Sequence, residues 1–208
     1  MAKDVVTLYH APNTRSSSVL HALEELGVPY DLHLLNMKKN EHHAPAYLAI
    51  NPLGKVPALQ HNGAIVTEQV AILLYLADAF PTAGLAPKIG DPQRGPYLRW
   101  MTMYAAAWEP AIVDRAMKRE PGQRAMSPYG EFDTLFNAVA AQLAKGPWLL
   151  GEKYSVADVL WGGALRWMTM FKILPENAAV TAYLARCAAR PAQARALAKD
   201  ADLAKQIA

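Results

Sequence analysis

Residues 51–59 read "NPLGKVPAL", and how this stretch folds decides the architecture around it. Lys55-Val56-Pro57-Ala58-Leu59 has the composition of a strand, and Asn62-Gly63 followed by Ala64-Ile65-Val66 supplies a two-residue turn and a returning strand. Asn-Gly between apolar runs is the strongest short-range signal for a type I′ hairpin. The proline is the odd member, because it brings no N–H to a ladder and is confined to a strand's beginning, edge or bulge. Pro57 therefore marks where pairing starts and leaves the backbone of Val56 open beside it.

Working outward, residues 5–80 alternate between strand and helix periods. Val5-Val6-Thr7-Leu8-Tyr9 predicts a strand, and Val19, Leu20, Leu23 and Leu26 form one face of a helix that Gly27 and Pro29 end. A second strand follows over about residues 30–35, and a unit this compact implies a parallel right-handed crossover. About residues 43–50 make a short helix or irregular connection; after the hairpin, residues 68–80 form a helix with Val70, Leu73, Leu74 and Ala77 inward. The order βαβ, α, ββα is the thioredoxin-like α/β layout. "PTAGLAPKIGD", residues 81–91, concentrates proline and glycine and reads as a linker. Beyond it the period is helical throughout, over about 92–118, 128–144, 155–173, 176–189 and 191–198. The expected organisation is thus an α/β domain over residues 1–80, a linker over 81–91 and an all-α helical domain over 92–208.

Composition narrows the function. The 208 residues are 52% hydrophobic and 19% charged, a globular balance that argues against disorder. A net charge of +3 is spread along the chain, with no basic run longer than Lys38-Lys39, so the clustered footprint of a nucleic-acid binder is missing. The N-terminus has the length of a strand rather than a signal peptide's apolar core, and no run is long enough to span a bilayer, which makes a cytoplasmic protein the default expectation. With Cys187 as the one cysteine, an internal disulfide, a Cys-x-x-Cys pair and a multi-cysteine zinc site are all excluded. Its Ala-rich setting suits a small core residue. His42-His43 has no accompanying ligand set, so no metal is expected. In the helical half, Ser155-Val156-Ala157-Asp158 reads as a capping box with Asp for the usual Glu, a structural role for Asp158.

"NPLGKVPAL", then "TEQVAILLYLAD", then "GEKYSVADVLWGGALRW", in this order, resemble the cytosolic glutathione transferases of bacterial type, similar to the beta and nu classes. The resemblance spans nearly the whole chain. It implies that Val56-Pro57 is a cis peptide, with Val56 offering its N–H and C=O to the cysteinyl part of glutathione as an added strand would. It also implies that Glu68 and Gln69, at the start of a helix, hold the γ-glutamyl end, where free N–H groups and the helix dipole favour a carboxylate. Gln69 departs from the serine usual there. Lys39 and Lys55 are candidates for the glycyl carboxylate, and Thr102, Trp108 and Glu109 for the second-substrate pocket.

The chemistry implied is presentation of glutathione as a thiolate. At pH 7 a free cysteine thiol is only about 3% ionised, and lowering its pKa by two units takes roughly 2.7 kcal/mol. One well-aimed donor at a helix start supplies about that much. The loop "HAPNTRSSSVL", residues 10–20, carries the candidates: Thr14 where the beta class has cysteine, Arg15 where nu-type members have asparagine, Asn13 by alignment on Val19, and Ser16 if the helix begins one residue later. Thr14, Ser16 and Arg15 rank before Asn13. The expectation is a glutathione transferase acting on small hydrophobic electrophiles, with glutathione as co-substrate and a homodimeric assembly. A nu-type glutathione-dependent peroxidase or disulfide reductase, and a non-catalytic ligand-binding protein, are the alternatives.

Overall fold

The computed structural model describes residues 5–120 and 122–208. The chain divides into two compact units, one formed by residues up to Ala83 together with Ala189–Ala208, the other by Gly84–Ala188.

In the first unit, β1 (Val6–His10) leads into α1 (Ser16–Leu26) and β2 (Tyr30–Leu34), and β2 lies parallel to β1, as the crossover requires. A 3₁₀ turn (Glu41–His43) and the short α2 (Pro45–Leu48) connect to the hairpin of β3 (Ala58–His61) and β4 (Ala64–Thr67), whose turn residues Asn62 and Gly63 both take positive φ. β3 pairs antiparallel with β1, giving the sheet order β2-β1-β3-β4. This is the thioredoxin-like layout, closed by α3 (Gln69–Ala79).

α1 buries Val19, Leu20, Leu23 and Leu26, the face its spacing predicts. In α3 the expected Leu73 and Ala77 are buried, joined by Ile72 and Leu76, while Val70 and Leu74 are only half-buried. "QVAILLYLADA" is apolar nearly all round, so periodicity alone does not orient it.

The last helix groups with the first unit. α9 (Pro191–Gln206) runs eight residues past its predicted end, and it packs on α1 of the first unit instead of joining the helical domain. Arg190 grips Glu25 through two 2.6 Å hydrogen bonds, Arg195 donates to Glu24 at 3.0 Å, and Lys199 stands 3.7 Å from the same carboxylate. At the helix end, the buried Asn36 donates to the Ile207 carbonyl at 3.0 Å. Nothing local in "RPAQARALAKD" specifies this partner, because its acids lie some 170 residues away.

The second unit is helical. α4 (Arg94–Met103), a π-helical turn (Tyr104–Trp108) and α5 (Glu109–Ala116) form one run; α6 (Phe132–Leu143), α7 (Val156–Met170) and α8 (Ala178–Ala188) follow. Trp161 centres its core, edge-on to Trp100 and Tyr104 and 5.1 Å from Trp108, with its indole N–H donated to the Trp100 carbonyl at 3.1 Å. The capping box forms at α7: Ser155 Oγ accepts from the Ala157 N–H, and Asp158 accepts from the Ser155 N–H at 2.9 Å. Asp158 also accepts from the Leu149 N–H and the Tyr183 hydroxyl, so it ties three segments together. Cys187 is buried against Gly162, as a small core residue.

Candidate functional site

The Val56–Pro57 peptide is cis, and β3 begins one residue later at Ala58. Upstream, the Lys55 carbonyl is pinned by the Tyr47 hydroxyl at 2.5 Å and by Asn51 Nδ2 at 2.8 Å. Gly54 turns with φ +59, and a Cβ there would lie 2.8 Å from the His43 ring, so both conformation and space demand glycine. With its neighbours held, Val56 presents a half-buried backbone whose N–H and C=O take no hydrogen bond among the described residues. An extended peptide could pair there.

α3 starts next to this edge in the same unit. Glu68 precedes it with φ 68 and ψ 118, a conformation costing a non-glycine residue about 1–3 kcal/mol and concentrated at functional positions. Its side chain is exposed and makes no capping bond, which leaves the first N–H groups of α3 available to an anion. Gln69 is directed elsewhere. Its amide donates to the Arg15 carbonyl at 3.2 Å and to Ser18 Oγ, which binds the start of α3 to the start of α1, while its Oε1 is buried without a hydrogen-bond partner among the described residues. The amide is therefore not a spare donor in place of the usual serine hydroxyl; the helix N–H groups and Glu68 are what face outward.

The loop between β1 and α1 is a closed hydrogen-bond web. Ser16 is fully buried, and its hydroxyl lies 2.8 Å from His10 Nδ1, 2.8 Å from Thr14 Oγ1 and 2.9 Å from the Ala11 carbonyl, while accepting from the Ala11 N–H at 3.1 Å. A hydroxyl with no exposed surface cannot meet a bound thiol, which removes Ser16 as a direct donor. Thr14 is half-buried; its hydroxyl stands 2.7 Å from the Ala11 carbonyl and accepts from the Ser16 N–H at 3.2 Å. Arg15, exposed, occupies the N-cap position of α1 with no side-chain cap. Asn13 is exposed at φ 59 and donates its N–H to Asp200 at 3.0 Å.

Two residues of this loop environment carry no local sequence signal for the role. His10 ends β1 with no exposed surface, and Asp200 reaches it from α9. Asp200 Oδ1 lies 2.9 Å from His10 Nε2, outside hydrogen-bond geometry, and the carboxylate accepts from the Ser17 hydroxyl at 3.1 Å as well as from Asn13. Burial pushes the Asp200 carboxyl up, but His10, the Asn13 N–H and the Ser17 hydroxyl outweigh it and hold it below its ordinary range.

The remaining candidates are more dispersed. Lys39 and Lys55 are exposed. In the second unit Thr102 is exposed and Glu109 half-buried, but Trp108 is 0% exposed, filled in by Trp161 and Phe132. An indole with no open surface belongs to the core, so Trp108 is withdrawn from the second-substrate pocket. No group of three metal-ligating side chains is assembled among the described residues.

Residues 4–78 match the model of the glutathione S-transferase N-terminal domain, and residues 100–191 match that of the C-terminal domain. The chain belongs to the glutathione S-transferase family. Among its relatives, glutathione S-transferase GstA of Escherichia coli O157:H7 is 27% identical, aligned over 88% of this chain and 93% of its own. Disulfide-bond oxidoreductase YfcG of Escherichia coli K12 is 28% identical over 94% and 95%. The fold of this family member superposes on a glutathione transferase from Methylococcus capsulatus with a TM-score of 0.81 and 32% identity, covering 94% of this chain and 98% of that one. It also matches a glutathione transferase homologue from Sulfitobacter with bound glutathione, TM-score 0.76 and 28% identity, over 96% and 99%.

Proposed function

We propose that the protein binds glutathione on its first unit and presents the thiol as a thiolate to hydrophobic electrophiles. The observation that carries this reading is the open backbone of Val56 beside cis-Pro57, at the edge where a peptide can add as a strand. Glutathione is the co-substrate. Its cysteinyl part pairs with Val56, its γ-glutamyl carboxylate and ammonium meet the start of α3 and Glu68, and Lys39 and Lys55 attract its glycyl end. Thr14 is the hydroxyl that meets the thiol, since Ser16 is sealed, and the exposed Arg15 and Asn13 stand on either side of it. Thr102 and Glu109 belong to the electrophile's pocket, and the working assembly is a homodimer.

A second reading has support of its own. The oxidoreductase relative matches this chain as well as the transferase relative does. In that case glutathione supplies the reacting thiols, because Cys187 is 1% exposed and unavailable.

Titration with glutathione, following thiolate absorbance against pH, tests the shared part. The expected result is binding with the thiol pKa lowered by one unit or more, and its partial restoration in Thr14→Ala. Turnover of an aryl halide then favours conjugation, turnover of a hydroperoxide or mixed disulfide favours the redox reading, and binding with an unperturbed thiol pKa refutes both.

A further inference from the structure

The hydroxyls of Thr14 and Ser16 and the imidazole of His10 form a file of three titratable or relaying groups, each 2.8 Å from the next, ending at the Asp200 carboxylate. Only the Thr14 end approaches the surface; Ser16 and His10 have none exposed. We infer that this file is a proton relay in which the buried His10 takes the proton of the bound glutathione thiol through Ser16 and Thr14, with Asp200 holding the resulting imidazolium. The inference rests on the proposed function, since it requires the thiol to meet Thr14.

The step balances within the chain. The S–H bond breaks as its proton passes to Thr14 Oγ1; the Thr14 proton moves to Ser16 Oγ, and the Ser16 proton to His10 Nδ1. What remains is a thiolate, two intact hydroxyls and an imidazolium beside a carboxylate. An imidazole is the side chain suited to exchange a proton near neutrality.

The surrounding acceptors stay satisfied in both states. Before transfer, Ser16 donates to His10 Nδ1 and the Thr14 O–H rests on the Ala11 carbonyl, from which it turns to Ser16 Oγ, 2.8 Å away, as the thiol proton arrives. After it, the Nδ1 proton is donated to Ser16 Oγ, Ser16 turns its own O–H to the Ala11 carbonyl 2.9 Å away, and the Thr14 O–H is released to the thiolate. The relay thus delivers a hydrogen-bond donor to the anion at the moment the anion forms. Two hydroxyls within reach of one carbonyl make this exchange possible, and a single capping hydroxyl would not.

Around His10, α9, the loop, α1 and β2 each bring a group. From α9 comes Asp200, facing Nε2; from the loop and α1 come the Ser16 hydroxyl and, beyond it, Thr14. On β2 its register partner is the apolar Leu34, and the Leu35 N–H donates to the His10 carbonyl at 2.8 Å. Asp200 is in turn held by the Asn13 N–H and the Ser17 hydroxyl, so α9 serves as a positioning element for the loop.

The test is nitrogen-15 NMR of histidine-labelled wild-type protein near pH 7, titrated with glutathione. The expected result is a His10 ring that is neutral in the free protein and doubly protonated at saturation. A ring that keeps one protonation state throughout overturns the relay. In parallel, His10→Gln and Ser16→Ala should raise the bound thiol's pKa by about one unit, a tenfold loss of thiolate below that pKa. Asp200→Asn should raise it in the same direction. Glutathione binding with a lowered thiol pKa that none of these changes overturns the relay while leaving the proposed function standing; failure of wild-type protein to bind glutathione overturns both. The wild-type spectrum decides the matter even where a buried substitution prevents folding.

Discussion

The grip of α9 on α1 makes a quantitative prediction for Glu25. Its carboxylate is 5% exposed and receives two 2.6 Å hydrogen bonds from Arg190, with His21 Nε2 at 3.3 Å. Burial pushes its pKa up, but the Arg190 hydrogen bonds, then His21, outweigh that and bring it from 4.5 down to about 2. At about 1.36 kcal/mol per pKa unit, that fall corresponds to roughly 3 kcal/mol of stabilisation. The sign follows from the depressed native value. The unfolded chain binds the proton more readily, so the stabilisation is fully present above about pH 4.5 and is lost as the pH falls through about 2. Glu25→Gln should therefore cost up to about 3 kcal/mol at pH 7 and almost nothing near pH 2; Arg190 is 29% exposed, and solvent screening pulls the figure below that ceiling. Urea unfolding followed by hydrogen exchange of α1 and α9 amides gives the difference at each pH. Tryptophan fluorescence is the internal control, because all five tryptophans lie between residues 100 and 167, in the second unit. A penalty that is equal at both pH values would refute the reasoning, since a packing defect does not depend on the charge of a carboxylate.

Four further outcomes are expected. Asp158→Ala should destabilise the second unit by more than about 3 kcal/mol in fluorescence-detected unfolding, because it leaves the Leu149 N–H, the Ser155 N–H and the Tyr183 hydroxyl without their acceptor, each at about 1–3 kcal/mol. Gly162→Ala puts a methyl group 2.9 Å from Cys187 Sγ and should cost about 1–3 kcal/mol, recovered in large part when Cys187→Ala is added. Lys39→Ala and Lys55→Ala should each weaken glutathione binding by roughly two- to fivefold in calorimetry, with a difference that shrinks in high salt, as exposed charges dictate. Thr14→Ser should keep the thiol pKa within about half a unit of wild type while Thr14→Val raises it, if a hydroxyl at that position is what the thiol requires.

The sequence by itself determined the strands, the hairpin and the layout of the first unit. Those features rest on signals a few residues long: alternation in Val6-Thr7-Leu8-Tyr9, the Asn62-Gly63 turn, and a proline that cannot join a ladder. The capping box at Ser155-Asp158 was legible for the same reason, since its two reciprocal bonds span three residues. Resemblance added Val56, Pro57 and Glu68, whose places in a motif are also local.

Only the tertiary structure decided which face of α3 turns inward, that Trp108 lies in a sealed aromatic core, and that α9 belongs with α1. It also separated Thr14 from Ser16. The two hydroxyls sit two residues apart with equal chemistry, and what distinguishes them is that Ser16 is fully buried against a histidine at the end of β1, which an aspartate from the last helix faces in turn. Asp200 and Asn13 are separated by 187 positions, and no periodicity or composition carries information over that distance. Local patterns specify which elements form, because backbone conformation is set by near neighbours. Which side chain meets a substrate, and which group can move its proton, depends on the solvent and partners that distant segments bring, and those exist only once the chain has packed.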